Sequence, residues 1–447
     1  MAVYHLPAHV GSDDTTVGDR NVYAWLVFAM TFGLLLSDYM SRQVLNVVFP
    51  LLKSEWGLSD ARLGALSGVV SLSVGVLALP LSIAADRWGR VRSLVLMAGI
   101  WSLATLACSL AQGFGQMLTA RLFVGVGEAA YGSVGAALVL GVFPVRLRAT
   151  LTGAFLGGGM IGSVLGISLG GYLAGHFGWR TSFAGMALFG LALTTLYPLV
   201  VTEARLKAQA HRASRIGAPR HVDPATYYRR PPLRNIVSSR SVICVYVASG
   251  LQLFVSGALL VWMPSYLHRF YDLPVQQAGL AAAVFVLTSA AGMTICGNIS
   301  DRFAHGMPQR QVSFAMGYCL LSCGFLIAAF SLPPGTLQLP LIALGMFLAA
   351  GTVGPAGAMV ANLTPTPIHG SAFAILSLAN NLLGLAIGPV VVGSLADGLG
   401  LQTALNLAPL SSIAAALVLI YAKRHYVKDL QRHESRFGVA APETVGP

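Results

Sequence analysis

Two stretches decide how this chain is read: S-I-A-A-D-R-W-G-R at 82–90 and G-N-I-S-D-R-F-A-H at 297–305. Each closes an apolar run with Asp-Arg. Superimposing them aligns Asp86 with Asp301 and, at the same offset, Gly64 with Gly279. Further on, G-S-V-L-G…G-Y-L-A (162–174) matches G-L-A-I-G…G-S-L-A (384–396). The chain therefore reads as two copies of one unit. In membrane proteins built this way, the functional site tends to lie between the halves, near the bilayer midplane.

Working outward, 55% of the 447 residues are hydrophobic, only 10% are charged, and the mean hydropathy is +0.71. That balance excludes an ordinary soluble domain and implies an all-α polytopic membrane protein. Runs long enough to cross about 30 Å of hydrocarbon, roughly 20 residues each, occur near 22–50, 61–84, 93–111, 115–141, 149–173 and 181–202. They resume near 241–266, 276–299, 311–331, 338–361, 370–396 and 401–422. The expected organisation is a tail (1–21), a six-helix bundle (22–202), a basic linker (203–240), a second six-helix bundle (241–422) and a tail (423–447). No cleavable signal peptide precedes the first span, because Asp13, Asp14 and Asp19 stand where a basic region belongs.

The net charge of +12 raises the question of nucleic acid. Sorting the 28 Lys and Arg by loop answers it: 22 lie on the side that holds both termini, while Lys53, Arg62, Arg180 and Arg269 lie on the other. The positive-inside rule accounts for this asymmetry and predicts cytoplasmic termini. The basic linker is expected at the inner headgroups, with the lipid bilayer rather than nucleic acid as its partner. Cys108, Cys244, Cys296, Cys319 and Cys323 all fall in apolar runs without metal-ligand spacing and read as small buried hydrophobes.

Four charges lie inside the first and fourth spans: Asp38, Arg42, Arg121 and Glu128. Each costs roughly 2.5–3.5 kcal/mol at a helix centre on insertion scales, so each should face the bundle interior or a wet cavity and find partners. At about 1.5 Å per residue, Asp38 and Glu128 fall near the midplane, with Arg42 and Arg121 roughly 9–10 Å beyond them. Two facing carboxyls in a poorly solvated site cannot both ionise easily, so a shared proton is expected, with Glu128 its preferred carrier and Asp38 its partner. The alternative is a pair of static salt bridges, Asp38–Arg42 and Arg121–Glu128. The arginines suit an anionic group through their planar forks. Tyr39 and Tyr131 beside these charges, and Gln252, Phe254, Trp262, Asn380 and Asn381 in the other half, complete the candidate binding residues.

The stretch Ala85-Asp86-Arg87-Trp88-Gly89-Arg90-Val91-Arg92 resembles the loop signature of the major facilitator superfamily, G-x-x-x-D-R-x-G-R-R, with Ser82 in place of the first Gly. A narrower resemblance, to bacterial spinster-like transporters, is carried by G-L-S-D-A-R-L-G (57–64), W-S-L-A-T-L-A-C-S-L-A-Q (101–112), R-L-F-V-G-V-G-E-A (121–129), F-P-V-R-L-R-A-T (143–150) and H-F-G-W-R (176–180). The anion:cation symporter family comes second. Both usually show N-Y-x-D-R in the first span, whereas here Asp38 occupies the Asn position and Ser41 the Asp position. The superfamily resemblance implies a conformational gate at Asp86, Arg87, Gly89 and Arg90, with a weaker copy at Asp301 and Arg302. Asp86 would meet the N-terminus of the eleventh span. The expected function is proton-coupled movement of an amphiphilic or organic anion, lysolipid-like, across the bacterial inner membrane by a monomer. Proton symport of small organic or aromatic acids, multidrug efflux and a non-transporting sensor or scaffold are the alternatives.

Gly157-Gly158-Gly159-Met160-Ile161-Gly162 satisfies G-x-G-x-x-G but lies in a membrane span after no strand, which excludes dinucleotide binding. No Walker loop or metal cluster occurs. The expectation is a protein that is not an enzyme and has no cofactor, driven by the proton gradient.

Overall fold

The computed structural model describes residues 14–143, 145–203, 205–206, 239–304, 307–365 and 368–437. Most of the expected linker, most of the N-terminal tail and the last ten residues lie outside this set. Among the described residues there is no strand, and twelve helices are long and apolar enough to cross a membrane. In hydrocarbon each backbone N–H and C=O must be satisfied within its own segment, and a helix does this. We number them α1 (Val22–Trp56), α2 (Asp60–Ala85), α3 (Arg90–Leu110), α4 (Phe114–Val139), α5 (Gly153–Phe177), α6 (Trp179–Val200), α7 (Arg240–Phe270), α8 (Val275–Ala304), α9 (Gln309–Ser331), α10 (Gln338–Leu363), α11 (His369–Leu399) and α12 (Leu401–Arg432). All twelve expected spans are present.

Several ends differ from expectation. The helix of α1 already begins at Asp14, inside the expected tail, and that of α12 runs on to Phe437 past the expected boundary at 422. Four spans are not uniform α-helix, α12 among them, broken at Ala408–Pro409. The turn at Ala129–Ala130 interrupts α4 directly after Glu128, and Gly351–Thr352 interrupts α10 at the equivalent place in the second half. Asn380–Ala386 in α11 forms a π-helix, a wide turn found mostly at functional sites.

With twelve spans, both termini of the bundle lie at one end, here called the terminal end; the other is the distal end. The halves meet distally. Asp60 of α2 takes Arg269 of α7 through two hydrogen bonds (2.8 and 2.6 Å) and Lys53 of α1 at 2.7 Å. Asp397 of α11 in turn accepts from the main-chain N–H of Asp60 (2.7 Å) and Ala61 (2.9 Å), at the start of α2. Below this cluster α2 and α11 run backbone to backbone: a Cβ on Gly64 would strike the Pro389 carbonyl, and one on Gly393 would strike that of Asp60. On the other side of the molecule Gly279 of α8 packs on the Ile167 carbonyl of α5 (2.9 Å to a Cβ placed there). Phe49 and Trp262 close the middle, with ring centroids 5.3 Å apart. The halves are thus sealed against each other at the distal end.

Candidate functional site

Asp38, Arg42 and Asn46 recur at four-residue intervals, which aligns them along one face of α1. Glu128 ends the first segment of α4 and meets Asp38: the two carboxyls lie within hydrogen-bonding reach of each other. Both residues are buried, at 7% and 6% exposure. Asp38 Oδ1 and both Glu128 oxygens have no donor among the described residues. Two carboxylates cannot bond to each other; a single proton between them would supply the missing donor. The alternative of static salt bridges is not formed: neither Asp38–Arg42 nor Arg121–Glu128 is an ion pair, whereas Lys53–Asp60, Arg180–Glu55 and Arg269–Asp60 are, at the distal end.

The two arginines have different surroundings. Arg42 is partly buried and donates through Nη2 to the Ser71 hydroxyl of α2. Arg121 is fully buried and donates to three main-chain carbonyls, of Ser41 (3.0 Å), Arg42 (3.2 Å) and Leu66 (3.4 Å). Tyr39 lies over Gly159 of α5, while Tyr131 is fully buried beside Trp101 and donates to the Thr31 carbonyl at 2.6 Å.

In the second half Gln252 donates to Ser322 at 3.1 Å, with its Oε1 lacking a donor. Asn381 donates to the Ser377 carbonyl at 2.9 Å and packs its Cβ near Gly75, so the π-turn faces α2. The Oδ1 of Asn380 is also without a donor. Phe254 is partly buried against Gly388, and the fully buried Trp262 donates to the Pro389 carbonyl at 3.0 Å, inside the distal seal. The structure thus joins Asp38 to Glu128, turns Gln252 toward Ser322 of α9 and places Asn380 in the π-turn of α11. It places Tyr131 and Trp262 within packed layers.

Of the expected gate, the side chain of Asp86 lies outside the described set. Gly89 adopts φ +98° between α2 and α3, a value that glycine alone accepts without strain, and Arg90 reaches the Ala137 carbonyl of α4 at 3.3 Å. Arg87, Asp301 and Arg302 are exposed. Sequence reasoning missed Ser71 and the distal set Asp60, Arg269 and Asp397. The only signal for them was polarity at span ends, where topology alone already accounts for charge.

Two pseudo-symmetric helical bundles that meet at a distal seal and bury ionisable groups within the membrane spans define a secondary transporter. The comparisons agree. The model of the Major Facilitator Superfamily matches residues 31–354 and 271–442, and the chain belongs to that superfamily. It is similar to the gallate transporter of Pseudomonas putida, 28% identical across 89% of this chain and 91% of that protein. It is also similar to a probable L-galactonate transporter of Escherichia coli strain K12, 26% identical across 88% and 87%. In fold it resembles a bacterial homologue of the human lysosomal transporter Spinster, solved in an inward-facing, occupied conformation, with a TM-score of 0.79 at 20% identity over 91% of this chain and 98% of that one. The protein is a multi-pass membrane transporter, not an enzyme.

Proposed function

We propose that the protein carries a small organic anion together with protons across the bacterial inner membrane, by alternating access between its halves. One observation carries this reading. Among the described residues Arg42, partly buried in the first half, has only a neutral hydroxyl as a hydrogen-bond partner, beside a carboxyl pair that lacks a donor. The guanidinium supplies an anion site whose charge persists at any relevant pH. The carboxyl pair supplies a proton site one turn away. The unpaired oxygens of Gln252 and Asn380 offer acceptors to hydroxyl groups of the substrate. Relatives named for gallate and L-galactonate support a small hydroxylated acid over the lysolipid-like substrate expected first. With the termini in the cytoplasm, as the distribution of Lys and Arg implies, the sealed distal end faces outward.

Purified protein in liposomes, with an imposed pH gradient and a panel of gallate, galactonate, lysophospholipid and a cationic drug, tests the proposal. Gallate or galactonate uptake that an acidic exterior accelerates is the expected result. Robust flux of the cation alone, or of the lysophospholipid alone, would contradict it.

A further inference from the structure

Arg121 and Arg42 carry the same group, but one is committed and the other is not. Each of the three guanidinium nitrogens of Arg121 donates to a carbonyl: Nη1 to Ser41, Nη2 to Arg42 and Nε to Leu66. These oxygens also accept from their own helices, and their second lone pair takes the arginine. A fully buried guanidinium with three of its five N–H groups already on neutral carbonyls presents no exposed fork to a carboxylate, and reaching it would mean disrupting these bonds. Two of the three carbonyls belong to adjacent residues of α1, and one of those residues is Arg42 itself. Meanwhile the Arg42 guanidinium touches Ser71 and makes no other hydrogen bond to the protein among the described residues.

We propose that Arg121 is a positioning residue: it clamps the backbone of α1 at Ser41–Arg42 to α2 and α4, Ser71 steadies the guanidinium of Arg42, and only Arg42 meets the transported anion. The inference rests on the reading of Arg42 as the anion ligand. The clamp needs several donors diverging from one plane, which Arg provides and Lys does not. Placing a binding group to within about an ångström matters because small misplacements cost large factors in rate or affinity.

The wild-type protein in lipid nanodiscs tests this first, by modification with the arginine reagent phenylglyoxal and mass spectrometry of the product, with and without gallate or galactonate. The expected outcome is labelling of Arg42 that the anion slows, and no labelling of Arg121 under either condition. Labelling of Arg121 that the anion slows would overturn the assignment. Labelling of Arg42 that neither anion slows, while transport of that anion is measurable, would remove the underlying reading and this inference with it. A double-mutant cycle on gallate affinity supplies the second readout. Arg121→Lys and Ser71→Ala should each weaken binding several-fold in the wild type and add little in an Arg42→Lys background. Equal losses from Arg121→Lys in both backgrounds would show direct contact with the anion and contradict the proposal.

Discussion

Asp38 and Glu128 share a depth in the membrane because each sits near the middle of a span, on α1 and α4, and helical rise alone converts sequence position into depth. That much was legible before the structure. What Arg121 would bond to was not, because it depends on which carbonyls of α1 and α2 the packing brings beneath it. Ser41 is the residue-scale clue that remains. With no carboxylate at this position, the Arg121 fork closes on main-chain oxygens and the Ser41 hydroxyl itself has no partner. The carboxyl pair also makes a stability prediction. Asp38→Asn gives Glu128 a permanent donor and removes one buried acid, so the variant should melt at or above the wild-type temperature, since satisfying a buried acceptor offsets about 1–3 kcal/mol. Melting of the purified variant by intrinsic fluorescence checks this; a clear fall would mean that Asp38 has a partner other than Glu128.

Among the elements, α2 and α11 carry the distal seal. The Asp397 carboxylate sits on the first N–H groups of α2, where a helix N-terminus is worth about 0.3–1 kcal/mol to an anion and up to about 2 when partly buried. Asp397→Ala should therefore raise the population open at the distal end. The check is labelling of a cysteine placed at Ser59, which should quicken several-fold; an unchanged rate would assign the seal to Arg269 and Asp60 alone. Gly64→Leu places a side chain against the Pro389 backbone, so it should block distal closure and abolish transport while leaving the protein monodisperse on size exclusion. Normal transport by this variant would contradict the close α2–α11 crossing. Hydropathy made these spans legible. It could not show the breaks at Ala129–Ala130 and Gly351–Thr352 or the π-turn at Asn380–Ala386, because small apolar residues keep a span hydrophobic whether or not it is continuous.

For the whole molecule, the repeated Asp-Arg ends and the twelve apolar runs made the two-bundle plan legible, since a repeated unit must bury equivalent faces twice. The substrate was less legible. Neutral amides such as Gln252 and Asn380 serve packing and recognition equally well until their partners are seen. In the proposed function, one proton held between Asp38 and Glu128 couples an anion at Arg42 to the opening and closing of the two halves. The most direct test compares two fluxes of the anion that the wild type transports, in liposomes containing Glu128→Gln. Gln keeps the size and hydrogen-bonding capacity of the site but cannot give up a proton. Exchange of the anion across the membrane without a gradient should persist, while accumulation driven by an imposed pH gradient should disappear. Gradient-driven accumulation at the wild-type level, with its pH dependence intact, would contradict the claim.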